Sequence, residues 1–141
     1  MLKETRTYED YNGVERTEDF YFNFSKAELT EMEMSLDGGL QGYLEKIVKA
    51  KDNKELVKYF KMIVLKAYGE KSEDGKRFIK SEEMQKAFSE TPVYSDIFME
   101  LATDEEAGAR FVNGIIPKDL AKEIEKDRKK EKKAKKAEED A

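Results

Sequence analysis

Cysteine, histidine and tryptophan are absent from the 141 residues, and proline occurs only twice. Without cysteine there is no disulfide, no thiolate metal site and no cysteine nucleophile. Without histidine the chain lacks the commonest general base at neutral pH and the commonest transition-metal ligand. Long apolar runs are missing too: none approaches the ~20 residues that a helix needs to cross a bilayer. The first residues, Met1 to Arg6, are polar and do not form the apolar stretch of a secretory signal. These absences lead to the expectation of a small, soluble, intracellular domain that is not an enzyme and needs no cofactor or metal.

What the chain has in abundance is charge. Lys and Arg number 27 and Asp and Glu 32, so 42% of residues are charged and the formal net charge is -5. An ordinary soluble domain carries about 25%. The hydrophobic share of 38%, with 8 Phe and 7 Tyr, still exceeds that of a disordered chain and can seed a core. The charge is unevenly placed. Residues 1–117 are net acidic, whereas 118–141 are net basic, with eight of the basic side chains between Lys126 and Lys136. An acidic body repels nucleic acid, because holding phosphates takes concentrated positive charge. The basic extension has no aromatic residue for base stacking, so it reads as a solvated, partly helical tail. The composition shift near residue 125 is the visible boundary, and the expected organisation is a globular domain over 1–117 followed by a charged tail over 118–141.

The hydrophobic pattern predicts an α+β fold, mostly α, in which an N-terminal β-hairpin packs on about six short helices. Asp10-Tyr11-Asn12-Gly13 contains the Asn-Gly pair of a tight turn, and Phe20, Phe22 and Phe24 beyond it share one face of a strand. Three phenylalanines in a row need covering, which the helices would supply. Ser25-Lys26-Ala27-Glu28 is a capping-box pattern that opens a helix with Leu29, Met32 and Leu36 inward, stopped at Asp37-Gly38-Gly39. A second helix is expected on Leu40, Tyr43, Leu44, Ile47 and Val48. A third, capped by Asp52, carries Leu56, Phe60, Ile63 and Val64; it is the most apolar and is expected at the centre, with Gly69 as its left-handed C-terminal cap. Glu70 to Lys80 reads as a polar loop turning at Asp74-Gly75, with Phe78-Ile79 as a scrap of strand. Ser81 starts a short helix with Met84, Ala87 and Phe88 inward. Thr91-Pro92 starts another, with Tyr94, Ile97, Phe98 and Leu101. Thr103 to Glu106 is a second capping box, leading to Phe111 and Val112, and Asn113-Gly114 is the expected stop. The last helix, from Lys118, has only Leu120 and Ile124 on an apolar side.

Reactive constellations are scarce. Setting Gly75 as the sixth position of a calcium-binding loop puts Ser81 at the twelfth, where a bidentate Glu is needed, and Arg77 at the eighth, so the match fails twice. Adjacent carboxylates such as Glu82-Glu83 are expected in so acidic a chain and mark no catalytic pair. Gly38-Gly39 lacks the Gly-Lys-Ser/Thr of a phosphate loop, and no Ser-x-x-Lys run offers a lysine base. Ile115, Ile116, Leu120 and Ile124 are candidate partner-binding residues, because the final helix has little to pack against; the alternative is that they cover the core.

Several stretches carry a resemblance to a known family. They are Tyr11 to Asn23 (YNGVERTEDFYFN), Ser25 to Leu29, Asp37 to Leu40, Ser72 to Ser81 (SEDGKRFIKS), Phe98 to Asp104 and Phe111 to Pro117 (FVNGIIP). In this order they resemble the tail assembly chaperones of long, non-contractile-tailed bacteriophages of Gram-positive bacteria. The resemblance covers residues 1 to about 117. It implies a non-enzymatic protein of the host bacterial cytoplasm that binds the phage tape measure protein and keeps it soluble while tube subunits assemble. It implies absence from the mature virion, and contact with the tail tube protein and with a frameshifted longer form of itself as further possibilities. The lysine-rich run Lys129 to Lys136 suits the A-rich slippery sequence such a frameshift needs. Nucleic acid and membrane are not among the expected partners. The competing expectations are a structural tail protein retained in the virion and a small acidic regulator or decoy.

Overall fold

The computed structural model describes residues 1–35 and 53–117, with Gly39 and Gly42 between them. The chain opens with β1 (Leu2–Glu9) and β2 (Glu15–Phe22), an antiparallel hairpin in unbroken register from Leu2 opposite Phe22 to Glu9 opposite Glu15. At its turn the Gly13 N–H donates to the Asp10 carbonyl at 3.0 Å and the Asp10 N–H donates to the Val14 carbonyl at 2.9 Å. Only Gly13 takes a positive φ there, +78°, so this is a three-residue loop closed by a left-handed glycine, not a two-residue turn. The Asp10 carboxylate selects that form. Its Oδ1 accepts the Asn12 and Val14 N–H groups at 2.9 Å each, and its Oδ2 accepts Arg16 Nε at 2.7 Å.

As the alternation predicts, Phe20, Phe22 and Phe24 lie on one buried face. The chain then turns into α1 (Lys26–Ser35) through the predicted capping box: the Glu28 N–H donates to Ser25 Oγ and the Ser25 N–H to Glu28 Oε1, both at 3.1 Å. Leu29 and Met32 of α1 are buried. The next described helix, α2 (Asn53–Ala67), buries Phe60, Ile63, Val64 and Ala67 and packs against two helices later in the chain, α3 (Glu82–Ser89) and α4 (Pro92–Thr103).

Two expectations for the segment beyond α2 are corrected. Gly69 is not a helix cap. The helix runs directly into β3 (Tyr68–Lys71), which pairs with the hairpin at Tyr21–Gly69 and Phe22–Tyr68 and then with β4 (Phe78–Ile79) at Glu70–Ile79 and Lys71–Phe78. The polar loop is thus a second, smaller hairpin, and the sheet order is β1-β2-β3-β4. Gly69 is needed for close approach: a Cβ there would lie 2.5 Å from the Phe78 ring and 2.8 Å from the Ile79 carbonyl oxygen. Asp74-Gly75 makes the expected turn, with Gly75 at φ +75°.

Ser81 caps α3, accepting the Met84 N–H, and Phe88 is its buried residue; Ala87, expected inward, is exposed and Met84 half-buried. Thr91 caps α4, accepting the Tyr94 N–H, with Pro92 in the first turn. The cap of α5 (Glu105–Ile115) is Asp104 and not Thr103, because the Asp104 carboxylate accepts both the Glu106 and Ala107 N–H groups, while the Thr103 hydroxyl donates to the Met99 carbonyl inside α4. Nor do Asn113 and Gly114 stop α5, which continues to Ile115. Gly114 is again a close approach, since a Cβ would come within 2.9 Å of Leu2 Cδ1.

The architecture is α+β and mostly α, a hairpin-led sheet against five described helices. The expected helix on Leu40 to Val48, Leu36, Asp52, the side chain of Leu56 and everything from Lys118 lie outside the described residues. Phe22 is the hub of the core. Fully buried, its ring meets those of Phe111 at 5.2 Å and of Tyr68 and Phe88 at 5.9 Å, joining both hairpins to α3 and α5.

Candidate functional site

The four candidate contact residues separate into two pairs. Ile115 and Ile116 are 1% and 4% exposed and lie in the core cluster. Their position is fixed by backbone: the Ile115 carbonyl accepts the Phe24 N–H at 2.7 Å, stitching the end of α5 to the exit of β2. Leu120 and Ile124 lie outside the described residues.

A cleft opens between α1, the last turn of α2 and the start of α3. It has a volume of 360 Å³, and Phe24, Glu28, Met32, Lys66, Lys80 and Gln85 are among its walls. Lys80 is the group that organises it. Its ammonium donates to Glu28 Oε2 at 2.6 Å and to the Asn23 carbonyl at 2.7 Å, and it lies 4.5 Å from the Phe24 ring centre. Burial pushes the Lys80 pKa below its ordinary value, while the hydrogen bond and charge of Glu28 act the other way. A lysine with a lowered pKa is the raw material of a base or nucleophile. Here its donors face structural acceptors: they tie the end of β4 to the exit of β2 and to the first turn of α1. Ser81, also on the cleft wall, has its oxygen engaged as the α3 cap. The sequence reading missed Lys80, and no local pattern marks it, because its partners are 52 and 57 residues away.

Ion pairs elsewhere are similarly structural. Arg6 of β1 bonds Glu100 of α4 and lies 3.2 Å from Glu4, fastening the hairpin to the helices. Its Nε is buried and without a hydrogen-bond partner among the described residues. The Asp74 Oδ1 that a loop cation would need accepts Ser72 Oγ at 2.7 Å and the Lys76 N–H at 3.0 Å. Among the described residues no three Asp or Glu side chains converge to hold a metal ion, and no helix is long and apolar enough to cross a membrane.

Polar side chains here serve as caps, turn acceptors and clamps of the fold. The sequence pattern of the phage tail assembly chaperone family matches residues 1–141, the whole length, and the chain belongs to that family. The match takes in the charged segment 118–141, which the resemblance had left outside. No curated protein and no solved structure matches the chain.

Proposed function

We propose that this chaperone binds the phage tape measure protein in the host cytoplasm, keeps it soluble until tube subunits enclose it, and is released before the particle is complete. The observation that carries the reading is membership of the family over the full chain. A tail assembly chaperone works on other tail proteins, and the tape measure protein, a long, largely helical and apolar-rich chain, has the greatest need of one. The net charge of -5 and the charged outer faces suit a carrier that must keep an apolar client in solution. The role requires no chemistry, and no bond is made or broken. Of the candidate contact residues, Ile115 and Ile116 would reach a client only if the end of α5 opened. Leu120 and Ile124 are therefore the apolar pair assigned to it.

Co-expression tests this. The tape measure protein should be recovered soluble and in complex with the chain, and a Leu120→Glu, Ile124→Glu double variant should lose most of that complex while keeping its own circular dichroism. Equal insolubility of the tape measure protein with and without the chain sinks the proposal. Mass spectrometry of purified particles should find no stoichiometric copies; their presence would make the chain a structural tail protein instead.

A further inference from the structure

β1 ends the sheet, so its outer edge faces no other strand among the described residues. Edge strands are usually shortened, bulged, interrupted by proline or guarded by charged side chains, because their unpaired N–H and C=O groups invite pairing; the charges of β1, Lys3, Glu4, Arg6 and Glu9, are of both signs and so can meet their opposites on a second copy. β1 has eight residues in unbroken register and no proline or bulge. The turn fixes which groups point outward. Asp10 bonds Val14 across the hairpin, and antiparallel ladder bonds alternate along a strand. The even-numbered residues of β1 therefore bond to β2, and Lys3, Thr5, Thr7 and Glu9 present their N–H and C=O groups to the open edge. Those same four residues are exposed, while Leu2, Glu4, Arg6 and Tyr8 are half-buried on the helix-covered face.

We propose that this edge is a homodimer interface, in which β1 pairs antiparallel with β1 of a second copy about a twofold axis at Thr5, making one eight-stranded sheet. Pairing that keeps the helices of both copies on one side places residues of like parity opposite each other. Among such registers, the one centred on Arg6 sets Arg6 against Arg6, and the one centred on Glu4 sets Glu4 against Glu4. Centring on Thr5 sets Glu4 against Arg6 of the other copy twice over, Leu2 against Tyr8 and Lys3 against Thr7. Opposite charges directly across a pair are favourable and like charges are not. The guanidinium has five donors, and Glu4 and Glu100 do not exhaust them. The register thus meets both charges on that face of β1, Glu4 and Arg6, with their opposites, and a second copy needs no complement that the chain lacks.

Sedimentation over the micromolar range should show a monomer–dimer equilibrium. Glu4→Arg and Arg6→Glu each set like charges opposite one another twice, and each should weaken the dimer about tenfold or more. Mixing the two variants should restore a heterodimer, because one chain then carries positive charge at both positions and the other negative charge at both. A readout independent of these charges uses the absence of native cysteine. Thr5→Cys lies opposite itself at a Cα separation of about 5.5 Å, within disulfide range, and should give a covalent dimer under mild oxidation. Thr7→Cys faces Lys3 and should not. A monomer at all concentrations overturns the proposal, as do equal cross-linking at positions 5 and 7 and a dimer indifferent to the charge exchange.

Discussion

At the residue scale, two side-chain decisions shape the sheet. Gly69 lets β4 close on β3, and the missing Cβ is the reason. Gly69→Ala should destabilise the protein by about 1–3 kcal/mol, the usual cost of forcing one extra carbon into a tight site. Adding Phe78→Leu should recover only part of the loss, because the Ile79 carbonyl, 2.8 Å from the added carbon, is backbone and cannot swing aside. Urea midpoints of the two variants measure both effects. Asp10 governs the first turn. Its pKa lies below the ordinary carboxylate value, chiefly because of the Arg16 hydrogen bond and then the Val14 N–H. A carboxyl that is more acidic folded than unfolded contributes stability above its unfolded pKa and loses it as pH falls through the folded one. The hairpin turn should therefore loosen at pH values below about 4, seen as faster amide exchange at Asn12 and Val14. Asp10→Asn should remove that pH dependence.

At the element scale, most of what was legible came from capping chemistry and phenylalanine spacing. Ser25 with Glu28, Ser81, and Thr91 with Pro92 mark three helix starts within a few residues of sequence, and Phe20, Phe22 and Phe24 declare a one-sided strand. Elements fixed by distant neighbours were illegible. Tyr68-Gly69-Glu70-Lys71 has neither alternation nor β-branched residues, and is a strand because the Tyr21–Phe22 end of β2 offers an edge and Phe78–Ile79 folds back on it. Gly114 looks like a helix stop until Leu2 is placed against it. The Lys80 clamp was invisible for the same reason, with its acceptors contributed by another hairpin and another helix. The start of α5 offers a test between neighbouring readings. Asp104→Ala should cost about 0.5–2 kcal/mol, since two N–H groups of the first turn lose their acceptor, whereas Thr103→Ala should cost clearly less. Thermal melts of the pair distinguish them.

At the scale of the whole molecule, the question is whether sheet and helices melt together. The charged surface contributes little to that coupling, because exposed ion pairs are each worth only ~0–1 kcal/mol. The coupling resides in the aromatic cluster: Phe22 reaches Phe111 of α5, Phe88 of α3 and Tyr68 of β3, while Tyr68 and Phe88 stack at 4.0 Å. Phe22→Ala removes a ring that touches all three elements, and should cost about 3–5 kcal/mol. Total stability of a domain this size is only about 5–15 kcal/mol, so the variant should be partly unfolded near physiological temperature. Met99→Ala, at a side chain that is 55% exposed, should stay within about 0.5 kcal/mol of the parent. If Phe22 couples the layers, far-ultraviolet dichroism, which follows the helices, and tyrosine fluorescence, undisturbed by any tryptophan, should report one coincident transition in the parent, and in Phe22→Ala that transition should move down and the two signals should draw apart. Two separated transitions in the parent would place the hairpins and the helices in independent units and remove Phe22 from its central role.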